Sequence, residues 1–381
     1  MPRRHLNRRK KRTLLAAAVA FPLVAGAILL GLYLRLRVQP LSAGERRQIA
    51  GRFKAAIEGA GGSQVWVKEP PYAPFPPIRA DLPAEVLITA GTYDAVLATI
   101  RNEAQKQDLQ IAIKATRTRE HYRVADVRLT RGHEPASRWR LREVNRLRHA
   151  AIVIDDLGQD LEAARHLLAL PYPITFSVLP HLRHSLTTAE EVHRAGREVM
   201  LHLPMEPDSP TPAGQGEIRV GMSAREIERI IQENLTSVPY AVGVNNHMGS
   251  RATASARLME KVIDVLAERH LYFVDSRTTG DSVAFDLARQ KGLATFYRAV
   301  FLDDTPTTAY ALAQLREFRR LIEAQGAALA IGHPYPTTIA ALSRFLPELE
   351  KGDIQLLPAS QLLQLPEVAR LAPPHNAAGP Y

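Results

Sequence analysis

From Ala150 onward the chain repeats one unit, a short apolar run followed by a stretch of helical periodicity. Such a rhythm belongs to parallel strands, because the chain must return across the sheet through a helix and both sheet faces become buried. The apolar runs predict strands at 151–154, 174–179, 198–201, 241–244, 272–274, 295–301, 327–331 and 354–357. About seven to eight such units predict an α/β fold, a distorted (β/α) barrel over 150–365, whose ligands gather where the carboxyl ends of the strands meet the loops that follow.

Polar residues stand at those ends. Asp155 and Asp156 follow AIVI, His181 follows SVLP, His202 closes EVML, and His247 follows GVNN. Asp275 closes YFV, Asp303 and Asp304 follow FL, and His333 follows AIG. Any one of these alone reads more readily as a helix cap or turn residue than as a functional group. Carboxylates and imidazoles delivered to one rim by seven strands point instead to a shared divalent-metal site. Imidazole and carboxylate donors suit zinc, which lowers the pKa of bound water and polarises a carbonyl. The absence of cysteine excludes disulfides, thiolate zinc sites, iron–sulfur clusters and cysteine nucleophiles.

Taken in order, IVIDDLGQD, FSVLPH, LHLPMEP, GVNNHMGSRAT, FVDSRTT, FLDD and IGHPYPTT resemble the divergent polysaccharide deacetylase family. The resemblance implies a distorted barrel and the removal of N- or O-acetyl groups from chitin, peptidoglycan or similar glycans. By position it implies Asp155 as the catalytic base, Asp156 and His202 as metal ligands, and His333 as the acid. Glu206 departs from the pattern, standing where the wider family has the second histidine of a His-x-x-x-His pair. Pro204 and Pro207 speak against a continuous helix there. The expected ligands are therefore Asp156, His202 and His247, with Glu206 the alternate third ligand. Glu206, Asp275, Arg251 and His181 stand as further metal or substrate contacts, with Asp275 expected to orient Asp155 or Arg251, or simply to be buried against backbone. Asn245 and Asn246 fit either a tight turn or substrate hydrogen bonding, and Asp303 reads as a rim residue. His133, His149, His166, His193 and His270 fall in connectors or helices and carry no expected role. His247-Met248-Gly249 replaces the family's Arg-Pro segment, and its Asp-Trp segment is not recognisable. Two functions follow: a metal-dependent hydrolase that deacetylates an envelope polysaccharide or peptidoglycan, and an inactive glycan-binding or scaffold protein on the same fold.

Before Ala150 the chain is built differently. Seven positive residues and no acid lie in 1–12, so setting them aside leaves +3 of the formal +10. The basicity is thus local, and nucleic acid is not an expected partner. The run 14–34, LLAAAVAFPLVAGAILLGLYL, has no charged residue. At 1.5 Å per residue it covers roughly the 30 Å hydrocarbon core, which predicts a transmembrane anchor over 13–36. Basic residues ahead of it keep the N-terminus in the cytoplasm, so the rest is expected outside the inner membrane, in the periplasm or beyond. A cleaved signal at Ala25-Gly26-Ala27 is the competing reading, opposed by the apolar continuation through Ile28-Leu29-Leu30. A small α+β module follows over 41–131, then a polar, Arg-rich connector over 132–149, and at the end a mobile tail over 366–381.

Overall fold

The computed structural model describes residues 41–62, 65–68, 84–117, 122–350, 352–366 and 368–371. The expected basic segment and anchor lie outside the described residues. Among the described residues no helix is long and apolar enough to cross a membrane. The chain divides into two compact units whose main boundary falls between Arg142 and Glu143.

The first region carries helices α1 (Ala43–Gly61) and α2 (Tyr93–Lys106) and strands β1 (Val65–Lys68), β2 (Ala84–Thr89), β3 (Gln110–Arg117), β4 (Arg123–Arg131) and β5 (Glu134–Val144). The sheet order is β1-β2-β5-β4-β3, with β3, β4 and β5 antiparallel. Helix α1 buries Ile49, Phe53 and Ile57 at helical spacing, and Phe53 meets Trp139 of β5 with ring centroids 6.4 Å apart. The connector expected at 132–149 is corrected here, since most of it is β5. Its arginines hid a period of two: Trp139 and Leu141 are buried while Arg138 and Arg140 are exposed. Arg140 faces Asp126 across the strand pair at 2.8 Å, so the charge belongs to the solvated side of a sheet.

The second unit alternates strands and helices. In order they are β6 (Arg148–Leu157), α3 (Leu161–Leu168), β7 (Thr175–Val178), α4 (Ser185–Arg194), β8 (Glu198–Met205), α5 (Ala224–Ser237), β9 (Ala241–Met248), α6 (Ser250–Thr253), α7 (Ala256–Glu268), β10 (Tyr272–Asp275) and α8 (Ala284–Gln290). β11 (Thr295–Tyr297), β12 (Val300–Phe301), α9 (Thr308–Gln325), β13 (Ala327–Gly332), α10 (Pro336–Glu350), β14 (Ile354–Leu356) and α11 (Ala359–Leu363) complete it. Eight strands run β11-β10-β9-β8-β7-β6-β13-β12, and β14 adds to β6. The paired strands are parallel.

The architecture is a curled half-barrel rather than the expected barrel of adjacent paired strands. The run 295–301, expected as one strand, divides into β11 on β10 and β12 on β13. The change of partner takes one peptide step: Arg298 N donates to Asp275 O at 2.9 Å, whereas Ala299 N donates to Leu329 O at 2.8 Å.

Both faces of the sheet are covered. Ala150, Ile152 and Ile154 of β6 pack in the larger apolar cluster with residues of the surrounding helices, while Ala151 and Val153 join Met200, Leu329 and Ile331 in a second cluster. Alternation along β6 therefore carries Asp155 to the side of Ala151 and Val153. Val368 is buried among that second cluster, so the expected tail from Pro366 begins too early in the sequence reading.

Candidate metal centre

Consecutive strand residues normally point to opposite faces, yet two adjacent aspartates reach one site. Strand β6 pairs with β7 as Ile154↔Phe176, and the next pair is Leu157↔Val178. Two residues of β6 thus oppose one of β7, a bulge, and within it Asp156 adopts φ +57°. Aspartate tolerates this left-handed region better than most side chains. The helix cap that Asp155 and Asp156 might have supplied is provided by Asp160, which accepts from Glu162 N at 2.9 Å and Ala163 N at 3.3 Å.

Strands β8 and β9 bring the imidazoles. Their register sets His202 beside Asn245 and Pro204 beside His247, so Asn245 and His247 share one face of β9. One ligand atom each from Asp156, His202 and His247 lie within 4.8 Å of one another. Asp156 Oδ1 is 3.3 Å from His202 Nε2 and 3.1 Å from His247 Nδ1, and those two nitrogens are 3.1 Å apart. Asp156 Oδ1 is buried and makes no hydrogen bond of acceptable geometry. Burial favours the neutral acid, but His202 and His247 outweigh it and hold the Asp156 carboxyl far below its ordinary value. Burial likewise opposes charging His202, and the Asp155 and Asp156 carboxylates overcome it to raise its pKa.

Asn245 locks this arrangement. Its Oδ1 accepts from Ser177 Oγ at 2.6 Å and from His202 Nδ1 at 2.9 Å. Its Nδ2 donates to Asp155 Oδ1 and Oδ2 at 2.8 and 3.0 Å and to Ser276 Oγ at 3.2 Å. With Nδ1–H donated to the amide, His202 keeps the Nε2 lone pair directed at Asp156 and His247. An orphaned buried carboxylate oxygen beside two imidazole nitrogens with lone pairs to offer is a donor set that fits a divalent cation.

His333 lies on the other side of Asp156, its Nε2 3.7 Å from Asp156 Oδ2. Asp303 holds it: Oδ1 is 3.0 Å from His333 Nδ1, and Oδ2 accepts from His333 N and Thr338 Oγ1, both at 2.6 Å. Burial opposes the imidazolium, but the Asp303 hydrogen bond and charge raise His333 to about 9. The Asp303 carboxylate thus favours the protonated form of the imidazole.

Four expected contacts lie elsewhere. Glu206 is not in the ligand cluster; it accepts from Val220 N at 2.6 Å and pairs with Arg251 at 2.9 Å, tying the 206–220 loop to α6. Arg251 is thereby accounted for, and its side chain is 58% exposed. Asp275 orients neither Asp155 nor Arg251: it is fully buried, accepting from Arg277 N at 2.8 Å and Ser282 Oγ at 2.7 Å. His181 bonds to Asn234 of α5 through Nε2 at 2.8 Å and takes Ser237 Oγ on its backbone N–H at 2.7 Å. Asn246 bridges Met248 O and Ser276 N at 2.8 and 2.9 Å, which is a structural role. Ser177 and Ser276 were missed by sequence reasoning, Asp303 was undervalued, and Asn245, read as a turn or substrate contact, instead holds His202 and Asp155. Only the Asn-x-His spacing of GVNNH carried a signal, since in a strand it puts both side chains on one face.

A family model described as divergent polysaccharide deacetylase matches residues 152–363. The chain belongs to this family. It is 42% identical over 227 residues to the uncharacterized protein YibQ of Escherichia coli, covering 60% of this chain and 71% of the relative. An uncharacterized protein of Haemophilus influenzae is 38% identical over 207 residues, covering 54% and 74%. The crystal structure of an uncharacterized protein of Agrobacterium tumefaciens has a similar fold, at TM-score 0.55 and 24% identity, covering 57% of this chain and 89% of that one.

Proposed function

We propose that this protein is a metal-dependent hydrolase that removes acetyl groups from an envelope polysaccharide or peptidoglycan. The observation that carries the reading is the opposition of two unlike groups across Asp156. On one side Asp155 is buried and fixed by Asn245; on the other His333 is bonded to Asp303, whose charge favours the protonated imidazole. A buried carboxylate and an imidazole flanking one ligand residue are the two group types that acid–base hydrolysis requires.

Asp156, His202 and His247 are the residues to hold the ion, for which zinc is the expected identity. When bound, such an ion polarises the acetyl carbonyl and lowers the pKa of water. Asp155, with a carboxylate oxygen 3.6 Å from His202 Nε2, takes a proton from the attacking water. His333 delivers a proton from Nε2 to the departing amine, its Nδ1–H remaining on Asp303. Asn245 keeps the base and the first imidazole in fixed relation, so that neither must reorganise during the reaction. The basic segment 1–12 and the uncharged run 14–34 support a membrane-anchored placement with the half-barrel outside the cytoplasm, where such polymers lie.

The test uses purified protein and elemental analysis, followed by acetate release from chitooligosaccharide and peptidoglycan fragments. One equivalent of divalent metal with acetate release supports the reading. Stoichiometric metal without acetate from either substrate, across pH and metals, favours the inactive glycan-binding scaffold.

A further inference from the structure

The opposite end of the same strands carries a second built site. A cavity of about 740 Å³ opens at the amino ends of β8 to β11, lined among others by Glu198, Tyr240, Tyr272 and Lys291. Glu198 and His202 are four residues apart on β8, so roughly 13 Å of strand separates this cavity from the metal centre. Its volume lies within the ordinary range for small-molecule sites.

Three donors converge on a single oxygen of Glu198. Thr175 Oγ1 donates to Oε1 at 3.0 Å, Tyr272 Oη at 2.8 Å and Ser360 N at 3.1 Å. That fixes the carboxylate and leaves Oε2 without a partner among the described residues, a preorganised acceptor in a cavity wall. Beside it, Tyr240 is 51% exposed and stacks one ring face on His193, with centroids 4.0 Å apart and planes 1° apart. Tyr240 also adopts φ +66°, in the turn between α5 and β9. Glycine or asparagine would relieve that backbone, so the aromatic ring is kept against local preference.

We propose that this cavity binds a pyranose unit of a polysaccharide, at a position separate from the metal centre. The C–H edge of the sugar lies on the free face of Tyr240, whose π-cloud is electron-rich. One sugar hydroxyl donates to Glu198 Oε2, and Gln361 and Gln364 supply neutral polar groups in the same wall. Arg197 and Lys291 also line the cavity, so its wall carries both signs of charge beside its neutral polar groups. The choice of sugar rests on the proposed deacetylase reading, whereas the cavity and its acceptor stand without it.

The experiment is calorimetric titration of the full chain with N-acetylglucosamine oligomers, which reads binding whether or not acetate is released. The Asp155→Asn variant serves as background to suppress turnover. Tyr240→Asn suits the left-handed backbone while removing the ring, Tyr240→Phe keeps the ring, and Glu198→Gln keeps an oxygen for the three donors. Tyr240→Asn and Glu198→Gln are expected to weaken binding at this site at least tenfold, and Tyr240→Phe less than threefold. Equal affinity in all three variants overturns the proposal, as does binding of fully deacetylated, ammonium-bearing oligomers in preference to acetylated ones.

Discussion

Replacing Asp303 by asparagine tests the identity of the acid. The substitution keeps the side-chain volume and an oxygen for His333 N and Thr338 Oγ1, but removes the charge 3.0 Å from His333 Nδ1. His333 is raised to about 9 even though burial alone would lower it, and Asp303 is the largest upward influence. A carboxylate at that distance accounts for roughly 1–3 pH units. If His333 protonates the leaving amine, kcat/KM falls as pH rises through its pKa. The alkaline limb of the variant is therefore expected about 1–3 pH units lower than that of the wild type. A bound cation lowers both values and leaves their difference. The same displacement has a stability signature in chelator-treated protein. Because the folded pKa is raised, the contribution is fully present below about pH 6.5 and is lost as pH climbs through about 9. Its size is about 3 kcal/mol at most, from 1.4 kcal/mol per pH unit. Urea titrations across that range should show this loss in the wild type and a smaller one in the variant. An alkaline limb at the same pH in both proteins, with equal metal content, would refute the role given to His333.

Other outcomes follow from the same contacts. Asp156→Ala, His202→Ala and His247→Ala should each lose the metal by elemental analysis, while Asp155→Ala should keep it and lose acetate release by more than about a hundredfold. Asn245→Ala leaves the His202 tautomer and Asp155 unheld, so metal affinity and kcat should each fall about 10–100-fold, read by chelator competition and steady-state rates. Glu206→Gln should leave metal content at wild-type level, since Glu206 serves Val220 N and Arg251 rather than the cluster. Gly243→Ala would place a Cβ 2.2 Å from the Tyr272 ring. Backbone and ring must both shift, and a loss of about 1–3 kcal/mol in chemical denaturation is expected.

The fold of the second unit was legible in the sequence because parallel strands buried on both faces write themselves as uninterrupted apolar runs. AIVI, SVLP and AAIV-like runs announce strands without reference to partners, and their polar successors announce a rim. What the pattern does not carry is where pairing changes hands. Thr295 to Phe301 reads as one strand, and only the hydrogen bonds of Arg298 and Ala299 to different neighbours reveal the break that leaves the sheet a half-barrel. The site divides along the same line. Asp156, His202 and His247 were recognisable because few side-chain types can ligate a divalent ion, and the choice narrows quickly. Asn245 was not, since an amide beside a strand end is as common in turns as in networks, and its value comes from four partners distant in sequence. Glu206 shows the reverse error. A carboxylate four residues after His202 has the chemistry of a ligand, but β8 continues through Met205 and Glu206 N joins Ile218 O instead of starting a helix. On a helix an i, i+4 pair lies one turn apart and can share an ion, whereas on a strand the same pair keeps one face but stands roughly 13 Å apart. On an extended chain the same spacing carries Glu206 past the rim, and the third ligand has to come from the neighbouring strand, where register with β8 sets His247 beside Pro204. The candidate metal centre is thus a consequence of strand pairing rather than of any local motif.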